Sequence, residues 1–391
     1  FIITKSMKIF FLGISGTFMG NLAQMAKNQG HEVLGVDDKV YPPMSLELKS
    51  SGINFFEGYT SKNYRNADLY VIGNTISRGN EILEHILKEK DKIISGPEWL
   101  YKNILKDKKV IAVSGTHGKT SVTSMIAHAL INNGENPSYL IAGIPKGFNK
   151  SWNLTESNYF VIEADEYDTA YFDKKPKFFH YNPDILLINN IEFDHADIYK
   201  NIEEIEQNFM ELVLGLPKES VIYINSSGVR ESFLDAIQKN INIKAQIEVF
   251  NAEAEDIYGI NRNITAKGLE EIVSESKVRE SLKNYKGVKR RYDTIFEHEL
   301  NPDKDINTTK SVKKLLNIVP NFQHVMFDDS EVDYSKSAFN QIESLKIGLQ
   351  PESKVDERTD SLWGKTFKFR LTSKKTGRKI DFNIKYNLRD M

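Results

Sequence analysis

The sequence contains no cysteine among its 391 residues. Disulfide bonds, thiolate metal sites and cysteine nucleophiles are therefore excluded, and a reducing compartment is favoured, so we expect a cytoplasmic protein. The sequence also has no excess of charge of one sign, since 52 lysine and arginine residues accompany 54 aspartate and glutamate residues. This balance gives no general attraction to nucleic acid or to an anionic membrane, and any anion must be bound at a local site.

Long apolar runs are missing as well. The longest, such as residues 9–12 and 185–188, are far shorter than the ~20 residues that a membrane-spanning helix needs, so we expect a soluble protein without membrane insertion. A chain of 391 residues also exceeds what one hydrophobic core usually serves. The length predicts two or three domains.

The first hundred residues alternate short apolar strands with helical patterns, which predicts a parallel α/β sheet. The stretches MKIFFLG, HEVLGVD and ADLYVIGN predict strands, and TFMGNLAQMAKNQG and EILEHILKEK predict helices. Ligands of such sheets bind at the carboxyl ends of the strands. The residues predicted at this rim are Gly13, Gly16, Asp37, Gly73, Asn74 and Arg78.

The loop GISGTFMG follows the first predicted strand and comes close to the dinucleotide-binding spacing G-x-G-x-x-G without matching it. Glycines at a helix start allow backbone amides to approach a diphosphate. A tight turn with close helix packing would need the same glycines, so this pattern leaves both explanations open.

A second α/β unit begins near Lys108, where the strand KKVIAVSG runs into SGTHGKTSVTSM. In a phosphate-binding loop, backbone amides surround the phosphates, the lysine ammonium neutralises them and the following hydroxyl reaches Mg²⁺. The match is to the shorter form G-x-x-G-K-T, because Val113 stands where the longer pattern has glycine. The pattern predicts a phosphate-binding loop, and the alternative is a simple glycine-rich turn.

Two further segments place polar residues at the ends of predicted strands. FVIEADEYD, residues 160–168, contains Glu163 and Glu166, which are candidate ligands of Mg²⁺ unless the segment is a solvated acidic turn. ILLINNIEFDHADIY, residues 185–199, ends in a polar group on the same rim, although a lone histidine is often structural. That group consists of Asn190, Asp194, His195 and Asp197.

In this order the three motifs resemble those of the Mur ligase family of peptidoglycan enzymes, whose central domain carries G-T-H-G-K-T, E-A-D-E and N-I-x-x-D-H-x-D segments. The resemblance is dense over residues 7–225. It implies an α/β fold with a Rossmann-like UDP-sugar-binding domain at 1–107 and a P-loop central ATP-binding domain at 108–296. An atypical or incomplete C-terminal region follows at 297–391.

Mur ligases use ATP to convert a carboxylate into an acyl phosphate, which an amine then attacks to form an amide. The stretches DDKVYPPMS and EADEYDTAYFDKKPKFFHYNP resemble members that join UDP-N-acetylmuramate to the recycled murein tripeptide L-Ala-γ-D-Glu-meso-diaminopimelate. The resemblance therefore implies these two substrates, with ATP and Mg²⁺ as cofactors, in peptidoglycan recycling. Ligation of L-alanine to UDP-N-acetylmuramate, or nucleotide binding without turnover, remain the alternatives.

The family pattern also implies roles for individual residues. The implied catalytic residues are Lys119, Glu163 and His195. The implied metal ligands are Thr120, Glu163 and His195, with Glu166 and Asp194 as further candidates. The implied contacts to ATP are Gly115, Thr116, His117, Gly118, Lys119, Thr120, Ser121, Asn190 and Arg290. The implied contacts to the sugar nucleotide are Gly13, Ser15, Gly16, Thr17, Asp37, Asn74, Ser77 and Arg78.

The far half of the chain departs from the family pattern. NYKGVKRRYD, residues 284–293, resembles the family's hinge, and its Arg290 and Arg291 predict either a clamp for phosphate or carboxylate, or a solvated basic surface. The G-x-H-N-x-x-N and D-[DY]-[FY]-A-H-H-P segments are not found. WGKTFKFRLTSKKTGRKIDFNIKY predicts a β-hairpin. We expect this half to be rearranged, or to be a fragment or the product of a damaged reading frame.

Overall fold

The structure is a computed structural model that describes residues 6–88, 92–193 and 199–288, together with the backbone of three strands between 324 and 387. The chain divides into two compact units, Phe1–Arg291 and Tyr292–Met391. Two large sheets belong to the first unit. Within these described ranges, every helix is too short or too polar to cross a membrane.

The first sheet consists of five parallel strands. They are β1 Lys8–Leu12, β2 Glu32–Asp37, β3 Asn54–Glu57, β4 Leu69–Ile72 and β5 Ile93–Ser95. The strand order is β3-β2-β1-β4-β5, so the chain adds β2 and β3 on one side of β1 and then β4 and β5 on the other. Ligands of α/β sheets bind beyond the carboxyl ends of the strands where the order reverses in this way. The helices of this part are α1 Thr17–Asn28, α2 Met44–Ser50, α3 Glu81–Ile86 and α4 Gly96–Asn103.

Local sequence explains where two of these helices begin. The side chain of Asn80 accepts hydrogen bonds from the first turn of α3, and Ser95 Oγ accepts one from Glu98 N in α4, which has Pro97 in its first turn. Helix α3 ends at Ile86, earlier than EILEHILKEK predicts. Its series of buried residues stops there, because Leu87 is half-buried and Lys88 is exposed, and residues 89–91 lie outside the described part of the chain.

The second sheet has seven strands and covers the middle of the chain. Its strands are β6 Lys109–Ser114, β7 Ser138–Leu140, β8 Trp152–Asn153, β9 Tyr159–Ala164, β12 Ile185–Ile188, β13 Val221–Asn225 and β14 Gln246–Phe250. A separate antiparallel hairpin is formed by β10 Asp168–Ala170 and β11 Asp173–Pro176. The helices are α5 Lys119–Asn132, α6 Ile202–Gly215, α7 Glu231–Lys239, α8 Ile257–Gly268 and α9 Glu275–Leu282.

The order of the second sheet is β14-β13-β12-β6-β9-β7-β8, and all neighbours are parallel except β7 and β8. Strand β6 lies between β9 and β12, so the segments that follow these three strands meet at one edge. Alternate residues of β6 belong to different apolar clusters: Val110 and Ala112 pack on one face, and Ile111 and Val113 pack on the other. Both faces are covered, as in other parallel sheets.

These two sheets confirm the predicted α/β fold class. Strands β1, β2, β4, β6, β9 and β12 and helices α1 and α5 lie where the sequence predicts them. Among the described residues of the second unit, β15 His324–Phe327, β17 Lys379–Asn387 and β16 Trp363–Thr372 form an antiparallel sheet in that order. The pairing of β16 with β17 confirms the predicted hairpin.

Candidate functional site

The loop between β6 and α5 has the backbone of a phosphate-binding loop. Gly115 has φ +132°, and a Cβ atom there would lie 2.8 Å from the carbonyl oxygen of Asn190. Gly118 has φ +81°, and a Cβ atom there would lie 2.6 Å from the side-chain nitrogen of Asn189. Only glycine adopts these angles and leaves this space without strain. The two glycines of G-T-H-G are therefore needed for the local geometry.

The residues that follow β12 hold this loop in place. Asn190 accepts two hydrogen bonds from the loop, from Thr116 N to its carbonyl oxygen at 3.0 Å and from His117 N to its Oδ1 at 2.7 Å. The side-chain nitrogen of Asn189 donates to His117 O at 2.8 Å. The carboxamide of Asn190, a predicted nucleotide contact, thus shapes the loop. Asn189 does the same and was not predicted by sequence reasoning.

Lys119 begins helix α5 and lies at the centre of the site. Its ammonium donates hydrogen bonds to Gly115 O at 2.7 Å and to Glu166 Oε2 at 3.1 Å, and it lies 3.6 Å from Asp165 Oδ1. Burial by itself lowers the pKa of Lys119, but the carboxylates of Glu166 and Asp165 raise it above its ordinary value. The side chain is therefore charged at neutral pH, as phosphate binding requires.

Thr120 and Glu163 form the second contact of the site. Strand pairing aligns Glu163 with Val113, just before the loop, and Thr120 Oγ1 donates to Glu163 Oε2 at 3.1 Å. The other carboxylate oxygen of Glu163 accepts from Ala142 N at 2.8 Å. A hydroxyl and a carboxylate so placed offer oxygen ligands to a hard cation. The sequence predicted both residues as metal ligands.

Glu166 is directed differently from Glu163, although both come from EADEYD. Its side chain is almost completely buried against Lys119, and its carbonyl oxygen accepts from Tyr199 OH at 2.7 Å. The geometry makes Glu166 the ion-pair partner of the loop lysine. Asp165 Oδ2 lies 4.0 Å from the ammonium of a second lysine, Lys177. The sequence analysis identified neither Asp165 nor Lys177 as a site residue.

Several predicted residues lie outside the described part of the chain. These are Asp194, His195, Asp197, Arg290 and Arg291. Their predicted roles stay predictions. Ser121 follows Thr120 in the first turn of α5, where its carbonyl oxygen accepts from Ser124 Oγ.

The rim of the first sheet is organised by Asp37, the last residue of β2. Its Oδ2 accepts hydrogen bonds from Ser15 N and Ser15 Oγ, and its Oδ1 accepts from Tyr59 OH and Asp38 N. A carboxylate has about four acceptor positions, so those of Asp37 are filled by the protein itself. Burial and the charge of Asp37 raise the pKa of Tyr59, which keeps its hydroxyl a donor. Asp37 therefore shapes the loop that begins α1.

A cavity of about 470 Å³ lies between the two sheets of the first unit. Predicted sugar-nucleotide contacts line one side of it: Gly13, Ser15, Gly16, Thr17, Asp37 and Asn74. Glu163 and Asp165 line the other side. Ser77 and Arg78 are not among its lining residues, and the guanidinium of Arg78 pairs with Glu84 at 2.7 Å on the surface.

The cavity joins the two predicted sites because Glu163 belongs to both. It lines the cavity and also accepts the hydrogen bond of Thr120 in the phosphate loop. Gly16 precedes α1 without a side-chain cap hydrogen bond, so no capping side chain occupies the first N–H groups of that helix. The arrangement can accommodate an anion at α1 and a second anion at the phosphate loop.

Comparisons with known proteins agree with these sites. Residues 8–108 match the model of the Mur ligase family, catalytic domain, and residues 113–283 match that of the Mur ligase middle domain. A UDP-N-acetylmuramate–L-alanine ligase of Clostridium acetobutylicum is 30% identical over 320 residues, which are 74% of this chain and 68% of that protein. The chain belongs to the Mur ligase family. Mur ligases are ATP-dependent ligases, so membership supports ATP as the nucleotide of the phosphate loop.

Two further relatives of this Mur ligase chain carry a different name. The UDP-N-acetylmuramate–L-alanyl-γ-D-glutamyl-meso-2,6-diaminoheptandioate ligase of Haemophilus influenzae is 46% identical over 220 residues, which are 56% of this chain and 49% of that protein. The crystal structure of UDP-N-acetylmuramate:L-alanyl-γ-D-glutamyl-meso-diaminopimelate ligase from Neisseria meningitides superposes with a TM-score of 0.67 at 37% identity. The superposition covers 73% of this chain and 100% of the Neisseria chain. The chain spans about half the length of the first curated relatives it matches.

Proposed function

We propose that this chain binds ATP and UDP-N-acetylmuramate and joins the latter to L-alanyl-γ-D-glutamyl-meso-diaminopimelate. One observation carries the proposal: Glu163 lies both beside the phosphate loop and in the cavity that the first sheet borders. A sugar nucleotide bound at the first sheet could therefore present its carboxylate to the γ-phosphate of ATP. The names of the Haemophilus and Neisseria relatives support the choice of acceptor.

The proposed chemistry follows from the poor reactivity of a carboxylate. An oxygen of the carboxylate attacks the γ-phosphorus and ADP leaves, which forms an acyl phosphate. The acceptor amine then attacks the acyl carbon, loses a proton and displaces inorganic phosphate. In the first step negative charge spreads over the transferring phosphoryl group. The ammonium of Lys119, held by Gly115 O and Glu166, is positioned to neutralise this charge.

The residues beside the loop fit Mg²⁺. Thr120 Oγ1 and Glu163 supply oxygen ligands, and Mg²⁺ usually takes only one or two protein ligands beside phosphate oxygens and water. In the described residues no group of three acidic, histidine or cysteine side chains could hold a metal by itself, which fits a cation that arrives with the nucleotide. Bound there, Mg²⁺ would polarise the phosphate oxygens. Thr120 and Glu163 would orient it.

A phosphate-release assay on the full chain tests the proposal. The assay contains Mg²⁺, ATP and UDP-N-acetylmuramate, and the acceptor is either the tripeptide or L-alanine. We expect faster release with the tripeptide and none from Lys119→Met, which lacks the loop ammonium. Faster release with L-alanine would contradict the proposed acceptor. Absence of binding of UDP-N-acetylmuramate and ATP by the unaltered chain would contradict the whole proposal.

A second candidate function is binding of both nucleotides without turnover. It is favoured by the far half of the sequence, in which the family's G-x-H-N-x-x-N and D-[DY]-[FY]-A-H-H-P segments are not found. Calorimetric titration of both nucleotides, combined with the phosphate-release assay, distinguishes the two candidates. Binding of ATP and UDP-N-acetylmuramate without any phosphate release would support this second function.

A further inference from the structure

The cavity between the two sheets is short of positive charge for the ligand proposed above. UDP-N-acetylmuramate brings a diphosphate and a carboxylate, and three carboxylates line the cavity, those of Asp37, Glu163 and Asp165. Among the described lining residues, Lys177 is the single lysine or arginine. Buried anions are bound where cations or hydrogen-bond donors compensate them. Lys177 is therefore the candidate to compensate the negative charge of the ligand.

Lys177 follows strand β11, and its backbone N–H donates to Tyr167 O at 3.0 Å. Its side chain is only 12% exposed. The ammonium lies 5.2 Å from the ring centre of Phe18, in the first turn of α1, and 5.8 Å from that of Tyr167. The ammonium therefore lies between helix α1, on the sugar-nucleotide side of the cavity, and the acidic segment that contains Asp165.

The described residues leave the hydrogen-bonding capacity of this ammonium unused. Among them, the nearest carboxylate oxygen, Asp165 Oδ2, is 4.0 Å away, beyond the length of a direct hydrogen bond. Within the described part of the chain, no acceptor lies within hydrogen-bond distance of Lys177 Nζ. Contacts with two aromatic rings attract the charge, and the described residues leave its three N–H donors without an acceptor. A lysine ammonium that is largely shielded from solvent and lines a cavity is suited to an acceptor from a ligand.

The position of Asp165 indicates which part of the ligand is bound. One of its oxygens faces Lys119 at 3.6 Å and the other faces Lys177 at 4.0 Å. Asp165 thus lies between Lys177 and Lys119, the lysine proposed above to neutralise the transferring phosphoryl group. The group of the sugar nucleotide that must reach that phosphate is its carboxylate, whereas its diphosphate is predicted at the start of α1.

We infer that Lys177 binds the carboxylate of the sugar-nucleotide substrate and holds it next to the phosphate loop. The inference rests on the proposed function. It makes Lys177 a determinant of specificity for a sugar nucleotide with an acid group over one without it.

Calorimetric titration of the full chain tests this role with two ligands, UDP-N-acetylmuramate and UDP-N-acetylglucosamine, which lacks the carboxylate. In Lys177→Met we expect the affinity for UDP-N-acetylmuramate to fall about ten- to hundred-fold, as for the loss of a hydrogen-bonded charge, and the affinity for UDP-N-acetylglucosamine to change less than about two-fold. Lys177→Arg should recover much of the loss because it keeps the charge. Lys174→Met, a neutralised and exposed lysine of the same hairpin, is the matched control.

The remaining outcomes are distinct. ATP affinity equal to that of the unaltered chain shows that Lys177→Met is folded, and Lys177→Gln gives the same test should the methionine variant unfold. An equal loss for both sugar nucleotides would overturn the inference by assigning Lys177 to the diphosphate, and no loss for either would also overturn it. No binding of UDP-N-acetylmuramate by the unaltered chain would overturn the proposed function and, with it, this inference.

Discussion

Lys119 Nζ lies 3.1 Å from Glu166 Oε2, and both side chains are almost completely buried. The pair orders the lysine of the phosphate loop before any nucleotide arrives. Such a pair is costly to break on one side only, because the remaining charge stays buried without its partner. The relationship therefore bears on stability as well as on nucleotide binding.

The first prediction concerns alkaline pH. The pKa of Lys119 is raised in the folded chain, so its contribution to stability is complete below the ordinary lysine pKa of about 10.5 and is lost as the pH rises through the folded value. We expect Lys119→Met to cost about 3 kcal/mol at about pH 8 and clearly less at about pH 11.5. Urea unfolding at both pH values measures this.

Lys102→Met serves as the control for that measurement. Lys102 pairs with Glu98 at 2.6 Å on the surface, where such a pair contributes less than about 1 kcal/mol. The control should lose little stability at about pH 8. An equal loss for Lys119→Met at both pH values would show that the charge of Lys119 does not stabilise the fold.

The second prediction separates backbone strain from crowding in the phosphate loop. Gly118 and Gly134 both have positive φ angles, +81° and +87°, but only Gly118 has neighbours where a Cβ would be. We expect Gly134→Ala to cost about 1 kcal/mol and Gly118→Ala more than that, with loss of ATP affinity in Gly118→Ala alone. Thermal unfolding and ATP titration provide the measurements. Equal effects of the two substitutions would argue against the close contact with Asn189.

The third prediction concerns the cation. Thr120→Val keeps the shape of the side chain and removes the hydroxyl that contacts Glu163. We expect ATP affinity to fall several-fold in the presence of Mg²⁺ and to stay unchanged in its absence, because the hydroxyl would contact the cation and not the phosphates. Titration of ATP with and without Mg²⁺ measures the difference.

Thr123→Val is the matched control, one turn further along the same helix. Its hydroxyl donates to Lys119 O inside the helix at 2.8 Å and does not contact Glu163. The control should bind ATP normally under both conditions. An Mg²⁺-independent loss in Thr120→Val would exclude the proposed metal contact.

The fourth prediction concerns the loop before α1. Asp37→Ala removes the acceptor for Ser15 and for the half-buried hydroxyl of Tyr59. We expect a loss of about 1–3 kcal/mol in the free energy of unfolding and weaker binding of UDP-N-acetylmuramate. Asp38→Ala, at the exposed neighbouring position, should change neither property. Normal sugar-nucleotide binding by Asp37→Ala would show that the loop does not depend on this carboxylate.

Much of the site could be predicted from the sequence because it depends on strand order. Strands β6 and β9 are short apolar runs that end in polar residues, and parallel strands bring such ends to one edge of a sheet. Lys119, Thr120 and Glu163 meet for that reason. The end of α3 was harder to predict, because helix boundaries depend on what the sheet covers.

Other features have no signal in the sequence. Glu163 and Glu166 are chemically identical, but Glu163 lies within β9 and contacts Thr120, whereas Glu166 lies beyond the end of β9 and contacts Lys119. Lys177 is one of three lysines in DKKPK, and only the folded hairpin distinguishes it from its exposed neighbours Lys174 and Lys175. Such choices are made by tertiary structure, which local patterns do not contain.

The hydrogen bonds around Asn190 have a consequence for synthesis of the chain. Asn190 shapes the phosphate loop, and the segment after β13 holds it in turn, since Ile191 N donates to Gly228 O at 2.8 Å and Asn225 donates to Asn189 O at 3.0 Å. We therefore expect the loop to acquire its form only after residues up to Gly228 have left the ribosome. A nascent polypeptide that stops short of Gly228 would carry the whole nucleotide motif without these supports.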